Sequence, residues 1–299
     1  MMRVLAIGHA ALDITLSVDD YPKENTKTKV GSTICCSGGA ATNAAFLLAK
    51  WKVDTYLSAL VGEDPSGEAI KKELIDASVH IDYVKTSPHF NTTISYVIAN
   101  QKNGSRTIVT SKTKQQTLED ISYREEEISG IIADGEEEQA TLIALEKYPN
   151  AISVLDAGSL KPSMLTIGKK VDYFISSKDF VEEYCNITLD PNDRDSLVSC
   201  YLKLQNEINP NVIVTLGEYG SFTSYKGEYH FIPSIQVKSL DTTASGDLFH
   251  GAFLYFMMQQ VDYLSAIRRA NITGALASRF VGRNHSIPTL EEVLEVDST

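Results

Sequence analysis

Seven residues in this chain, Asp241-Thr-Thr-Ala-Ser-Gly-Asp247, combine types and spacing that could do chemistry. They run directly into a stretch in which Leu248, Phe249, Ala252, Phe253, Leu254, Tyr255, Phe256 and Met257 leave no polar face at helical spacing. That is the pattern of a helix surrounded by protein. At its start the small residues Ala244, Ser245 and Gly246 leave backbone N–H groups uncovered, where a helix has unpaired donors and the positive end of its dipole. An anion would bind there. Asp247 stands at the same mouth, and a carboxylate so placed must be hydrogen-bonded, paired or used in chemistry. By residue type alone the seven also read as a tight connection with an N-cap.

Several elements must position this stretch. Val4 to Ile7 is a continuous apolar run ended by Gly8, a strand buried on both faces. Asp13 follows, placed either as a turn former or, past the carboxyl end of a strand, as an acceptor for polyol hydroxyls. In Ser37-Gly-Gly-Ala-Ala-Thr-Asn43, Gly38 and Gly39 allow close backbone approach. The alanine-rich run behind them is helical and carries Asn43 in its first turn. Val61-Gly-Glu-Asp-Pro-Ser-Gly67 leads into a helix near 66–77, with Gly62, Asp64 and Gly67 structural. Residues 14–36 and 93–110 alternate as two β excursions, the second turning at Asn103-Gly104. From 113 to 210 strand and helix alternate, the mark of a parallel sheet covered on both sides. The strands expected are Ile128 to Ala133, Ile152 to Leu155, Tyr173 to Ile175 and Val212 to Thr215. The run Glu136-Glu-Glu reads as a solvated helix start. Arg106, Lys112 and Lys114 read as a solvated face that could also reach a negative group on a ligand. Val212 to Thr215, Gly217 and Gly220 form a strand and glycine turn, followed by a hairpin at Lys226-Gly227.

At 299 residues with 43% apolar composition the chain can build a full core, one main domain with a small appendage. A formal charge of -12 and a pI near 5.0 argue against a nucleic-acid or anionic-membrane partner, which would call for a basic stripe. Cys35, Cys36, Cys185 and Cys200 have no metal spacing and suggest a reducing compartment. The first residues have one Arg and an apolar run broken by Gly8, His9 and Asp13, so a soluble cytoplasmic protein is expected.

The heptad 241–247 resembles the second signature of the ribokinase-like (PfkB) carbohydrate kinases, with Ser245 where that signature usually has Ala. Gly38-Gly39-x-x-x-Asn43 is similar to the core of the first signature, and the resemblance covers essentially the whole chain. It implies an α/β fold: a mostly parallel central sheet flanked by helices (1–13, 37–92 and 111–299) under a small β lid (14–36 and 93–110). It implies transfer of the γ-phosphoryl of ATP to a sugar hydroxyl, with Mg²⁺ bridging ATP oxygens. In that scheme Asp247 is the base and the backbone of Ala244, Ser245, Gly246 and Asp247 is the anion hole. Asp13, Gly38, Gly39 and Asn43 bind the sugar, and Thr215, Gly217, Gly220 and Asn271 border the nucleotide. Asp241 and Thr243 help hold a monovalent cation such as K⁺, and the lid serves as a homodimer surface. Ser176-Ser-Lys-Asp179 departs from the family's Asn-x-x-Glu near the magnesium: one register keeps the acid at Asp179, the other puts Phe180 there.

The resemblance leaves the acceptor open. Ala11 and Ala40 stand where ribokinase proper has polar side chains that meet ribose. Gly246-Asp-Leu-Phe-His-Gly-Ala252 and the Gly-Arg-x-x-x-Ile-Pro tail resemble ketohexose-type and sulfofructose kinases. An anionic sugar would draw on Arg106, Lys112, Lys114 or Arg283. A nucleoside kinase would need an aromatic slot from Tyr96 or Phe90, and a non-catalytic sugar- or nucleotide-binding regulator is the remaining alternative.

Overall fold

The short apolar runs of the sequence become strands of one large sheet. The computed structural model describes residues 2–31, 33–102, 105–112, 116–119, 121–125, 127–282 and 286–298. Among them, nine strands lie side by side in the order β13 (Glu228–Pro233), β12 (Gly220–Tyr225), β11 (Val212–Thr215), β10 (Tyr173–Ser177), β9 (Ile152–Ala157), β8 (Gly130–Ala133), β1 (Arg3–Ile7), β4 (Asp54–Gly62) and β5 (Val79–Ser87). Pairing is parallel from β11 through β5 and antiparallel at β12 and β13. Val4–Ile7, all of β8 and Val154–Leu155 are fully or almost fully buried, as expected where helices cover both faces. The β12–β13 hairpin turns at Lys226-Gly227 with φ of 51° and 83°, the paired left-handed conformation that such a two-residue turn requires.

A second sheet of four strands has the order β3 (Thr33–Gly38), β2 (Ala11–Val18), β6 (Thr93–Asn100) and β7 (Arg106–Ser111). Asp13 pairs with Cys36 and Ser95 and so shares their face, while Tyr96, in register with Ile14 and Val109, is on the other. The expected turn Asn103-Gly104 lies outside the described residues.

Helix α7 (Ser245–Met258) is the central helix anticipated from its apolar surface, with Leu248 through Phe256 all buried. It packs on α1 (Ala40–Lys50) through small residues: a Cβ on Gly251 would lie 3.3 Å from the Cα of Ala44. On its other side Gly274 of α8 (Tyr263–Ala277) is so close that a Cβ there would be 2.9 Å from the carbonyl oxygen of Ser245. These two contacts fix where the first turn of α7 opens. Among the described residues no helix is long and apolar enough to cross a membrane.

Candidate active site

Ala244 caps α7 in the left-handed region, φ 65° and ψ −4°, a conformation that costs a residue with a Cβ about 1 kcal/mol. The loop before it holds it there. Asp241, 2% exposed, accepts from the N–H of Thr243 at 2.8 Å and of Gly282 at 3.1 Å. The N–H of Ser245 donates to the Thr242 carbonyl at 3.3 Å, and that of Leu248 makes the first helical bond to Ala244. The N–H groups of Gly246 and Asp247 have no acceptor among the described residues. A Cβ built on Gly246 meets nothing within 4 Å, so open space lies before these donors.

Asp247 accepts a hydrogen bond of 2.6 Å from Nδ2 of Asn43. The close approach of Gly251 to Ala44 explains this, since each is on the same helix face or next in sequence to one of the pair. Burial pushes the Asp247 carboxyl up from the ordinary range, opposed by the Asn43 amide and the charges of His250 and Arg106. Oδ1 of Asn43 is buried with no partner, an acceptor aimed at nothing the protein supplies. Asp13 rests against Gly38, where a Cβ would be 1.9 Å from its Oδ2. Gly39, φ 103°, brings its Cα against the carbonyl of His9.

Beside Asp247 opens a cavity of about 270 Å³ whose wall includes Lys112, Asp134, Glu136, Asp156 and Lys161. Here the sequence reading needs correction. Glu136-Glu-Glu does lead into a helix, with Glu137 as its N-cap and Glu138 its first residue, but the run is not solvated. Glu136 faces the cavity and pairs with Lys112 and with Lys161, the latter at 3.2 Å. Burial opposes its ionisation, but the two lysines outweigh burial and hold its pKa at about 2. Glu137 is 4% exposed and accepts from the N–H of Leu118 at 2.6 Å; burial raises its pKa to about 7. Lys112 is exposed but turned to this wall, and exposed Arg106 donates from the lid to Thr242 Oγ1 at 2.5 Å. Neither is simply part of a solvated face.

Asp134, just past β8, accepts from the N–H groups of His9, Ala41 and Glu136 at 2.8, 3.1 and 3.0 Å, and Gly8 makes room for it. Burial lowers the pKa of His9. Asp156, at the end of β9, lies 3.2 Å from Nδ1 of His250, one turn along α7 from Asp247; burial raises its pKa to about 7.

Comparison with known proteins gives the family and the fold. The family described as pfkB family carbohydrate kinase matches residues 1–290. The chain belongs to the pfkB carbohydrate kinases. It is therefore a phosphotransferase with an alcohol acceptor. The deoxyribokinase of Salmonella typhi is 24% identical over 303 residues, covering 98% of both chains, and the nucleoside kinase of Methanocaldococcus jannaschii is 24% identical over 307 residues, covering 99% and 96%. The fold is that of Arabidopsis thaliana ribokinase complexed with ribose and ATP: TM-score 0.82, 21% identity, 100% of this chain and 99% of that one.

In this pfkB kinase the other sequence-predicted residues fall as follows. Thr215 ends β11 and donates to the Ser176 carbonyl at 3.3 Å. Gly217 and Gly220 have φ of 60° and 113°, and at Gly220 a Cβ would strike the Ile232 carbonyl at 2.1 Å. Asn271 ties α8 to the hairpin: it accepts from Ser221 at 2.7 Å and donates to Ile232 at 3.0 Å. Ser176 is buried at the end of β10, Ser177 caps α5 (Lys178–Cys185), and Asp179 is exposed in its first turn. Phe90 packs in the core with Leu60 and Tyr83, and Tyr96 is on the lid face away from Asp13, so neither offers a slot at the cavity. Lys114 and Arg283 lie outside the described residues. Sequence reasoning missed Asp134, Asp156 and Lys161; an acid within a residue of a strand end was the available signal.

Proposed function

We propose that this kinase transfers the γ-phosphoryl of ATP to a hydroxyl of a small neutral sugar. The observation that carries the reading is the gathering of two free N–H groups, Gly246 and Asp247, and an unpartnered Asn43 oxygen around the buried Asp247 carboxylate, which lines the cavity. Such a place offers donors for a phosphoryl group and two acceptors for an incoming hydroxyl. ATP with Mg²⁺ supplies the phosphoryl group when bound. Asp247 takes the proton of the acceptor hydroxyl, its raised pKa bringing it nearer to neutral pH as a base. The Gly246 and Asp247 N–H groups hold the charge on the transferring group.

Asp13, Gly38, Gly39 and Asn43 orient the sugar, while Thr215, Gly217 and Gly220 border the nucleotide. The Asn271 side chain braces that border from behind. Thr243 Oγ1 is buried without a partner beside Asp241, which suits a monovalent cation such as K⁺ held by these two residues. Among the described residues no three acids, histidines or cysteines cluster to hold a metal, and no protein ligand for Mg²⁺ is assigned. A neutral sugar is favoured over an anionic one because Lys112 and Lys161 pair with Glu136 and the rest of the charged lining, Asp134, Asp156 and Asp247, is acidic. A nucleoside is disfavoured by the placement of Phe90 and Tyr96. We place the enzyme in the cytoplasm, which its four free cysteines suit, as a homodimer through the lid, where Tyr96 and Val109 are 41% and 56% exposed.

The test is coupled ADP release with MgATP over pentoses, deoxypentoses, ketohexoses, sugar phosphates and nucleosides. Turnover of a neutral sugar that vanishes in Asp247→Asn is expected. A clear preference for a sugar phosphate or a nucleoside would overturn the choice of acceptor.

A further inference from the structure

Asp156 is 7% exposed yet belongs to the cavity wall beside Asp247. One of its oxygens is held from behind. Nδ1 of His250, itself 3% exposed, lies 3.2 Å from Asp156 Oδ2 and 2.5 Å from the Gly246 carbonyl, while Nε2 is 3.4 Å from the carbonyl of Ile175. The ring is thus held between Asp156 and two backbone carbonyls. His250 therefore anchors Asp156 from behind, and the same ring braces the carbonyl of Gly246 in the anion hole. Its other oxygen, Oδ1, has no hydrogen-bond donor among the described residues. A carboxylate oxygen that opens on a cavity without a protein donor is a place for a ligand hydroxyl.

We propose that Asp156, anchored by His250, binds a second hydroxyl of the acceptor and thereby decides which hydroxyl is presented to Asp247. The inference rests on the reading of this cavity as the acceptor site of a sugar kinase. Asp156 touches substrate, while His250 acts as a positioning residue. The groups that face the pair are Asp247 from α7, Asp134 from the β8 end and Lys161 from the loop after β9, a largely acidic surrounding with one lysine. A site that hydrogen-bonds a hydroxyl rejects the analogue lacking it, because its own polar group is left unpaired.

The experiment measures KM and kcat of the full-length wild type and of Asp156→Asn. It uses the panel sugar with the highest kcat/KM, a set of its monodeoxy analogues, and MgATP. Asp156→Asn is expected to raise the KM for the sugar about 10- to 100-fold, with kcat within a few-fold, the KM for ATP within about 2-fold and the melting temperature retained. It should also lose discrimination against one monodeoxy analogue, which a merely structural acid would not change. His250→Gln, which removes the ring that anchors Asp156, is expected to raise the sugar KM and weaken the same analogue discrimination, with the KM for ATP within about 2-fold. If Asp156→Asn fails to fold, Asp156→Glu shifts the carboxylate by one methylene and should reorder the preference among the analogues. Unchanged sugar KM and unchanged analogue discrimination overturn the inference, and with Asp247→Asn still inactive the kinase reading stands. A rise in the KM for ATP alone overturns it by placing Asp156 on the nucleotide side. If no panel sugar binds to the wild type in equilibrium titration, both this inference and the reading beneath it fall.

Discussion

The two walls of the cavity are built on opposite plans. The phosphoryl side is backbone: seven consecutive residues, a left-handed Ala244, and N–H groups freed by the start of a buried helix. The facing wall is charged side chain, with Lys112, Asp134, Glu136, Asp156 and Lys161 brought from the lid and from loops after two separate strands. Backbone donors cannot be lost by substitution and need no counterion, which suits a group whose charge is the same in every turnover. Side chains can be exchanged one at a time, which suits a wall that selects the acceptor. On the proposed reading, the fixed chemistry and the adjustable specificity of this kinase therefore occupy different materials.

This contrast can be broken from either side. The largest effect is expected at Gly246, where no protein atom lies within 4 Å of a would-be Cβ. Gly246→Val should fold normally yet lower kcat about 100-fold or more, because its side chain fills the space before the donors. Thermal denaturation together with steady-state kinetics separates the two effects, and an active, stable valine variant would mean that the phosphoryl group lies elsewhere. Asn43→Ala removes the hydrogen bond that favours ionised Asp247, so the acid limb of the kcat/KM profile should move to higher pH and turnover fall about 10-fold. An unmoved limb would detach Asn43 from the base.

The smallest effect on catalysis is expected just behind the charged wall, at Glu137. Its folded pKa of about 7 lies above the ordinary carboxylate value, so the folded state holds this proton more tightly than the unfolded one. Its contribution is fully present below the unfolded pKa of about 4.5 and is lost as pH rises to about 7, by at most roughly 3 kcal/mol. Glu137→Gln should therefore gain stability relative to wild type at pH 8 but not at pH 4, with kcat/KM little changed. Denaturant titrations at the two pH values would show it, and equal differences at both would contradict the buried, protonated carboxyl.

The same contrast explains what the sequence revealed. The phosphoryl side was legible because its parts are contiguous: order within 241–247 and the apolar run behind it state the turn, the helix and its burial. Asp13 and Gly38 were legible as types, although only strand register shows the glycine seating the carboxylate. The charged wall was not legible, since Asp134 and Asp156 belong to no motif and meet only through the order of β8, β9 and β1. Glu136-Glu-Glu was read correctly as a helix start but not as solvated, because a run of like charge usually lies in water, whereas here two lysines pair with one acid and burial raises the pKa of the next. Asn271, which the resemblance sets beside the nucleotide, has its amide engaged in tying α8 to the β12–β13 hairpin, a bond the sequence alone does not show.

The most direct test of the central claim is kcat of Asp247→Asn with MgATP and the best neutral sugar, with ATP affinity measured on the same protein by titration calorimetry. The account predicts a fall of at least about 100-fold with nearly unchanged ATP affinity, since the variant keeps the backbone donors and loses only the proton acceptor. Turnover near that of the wild type would contradict it.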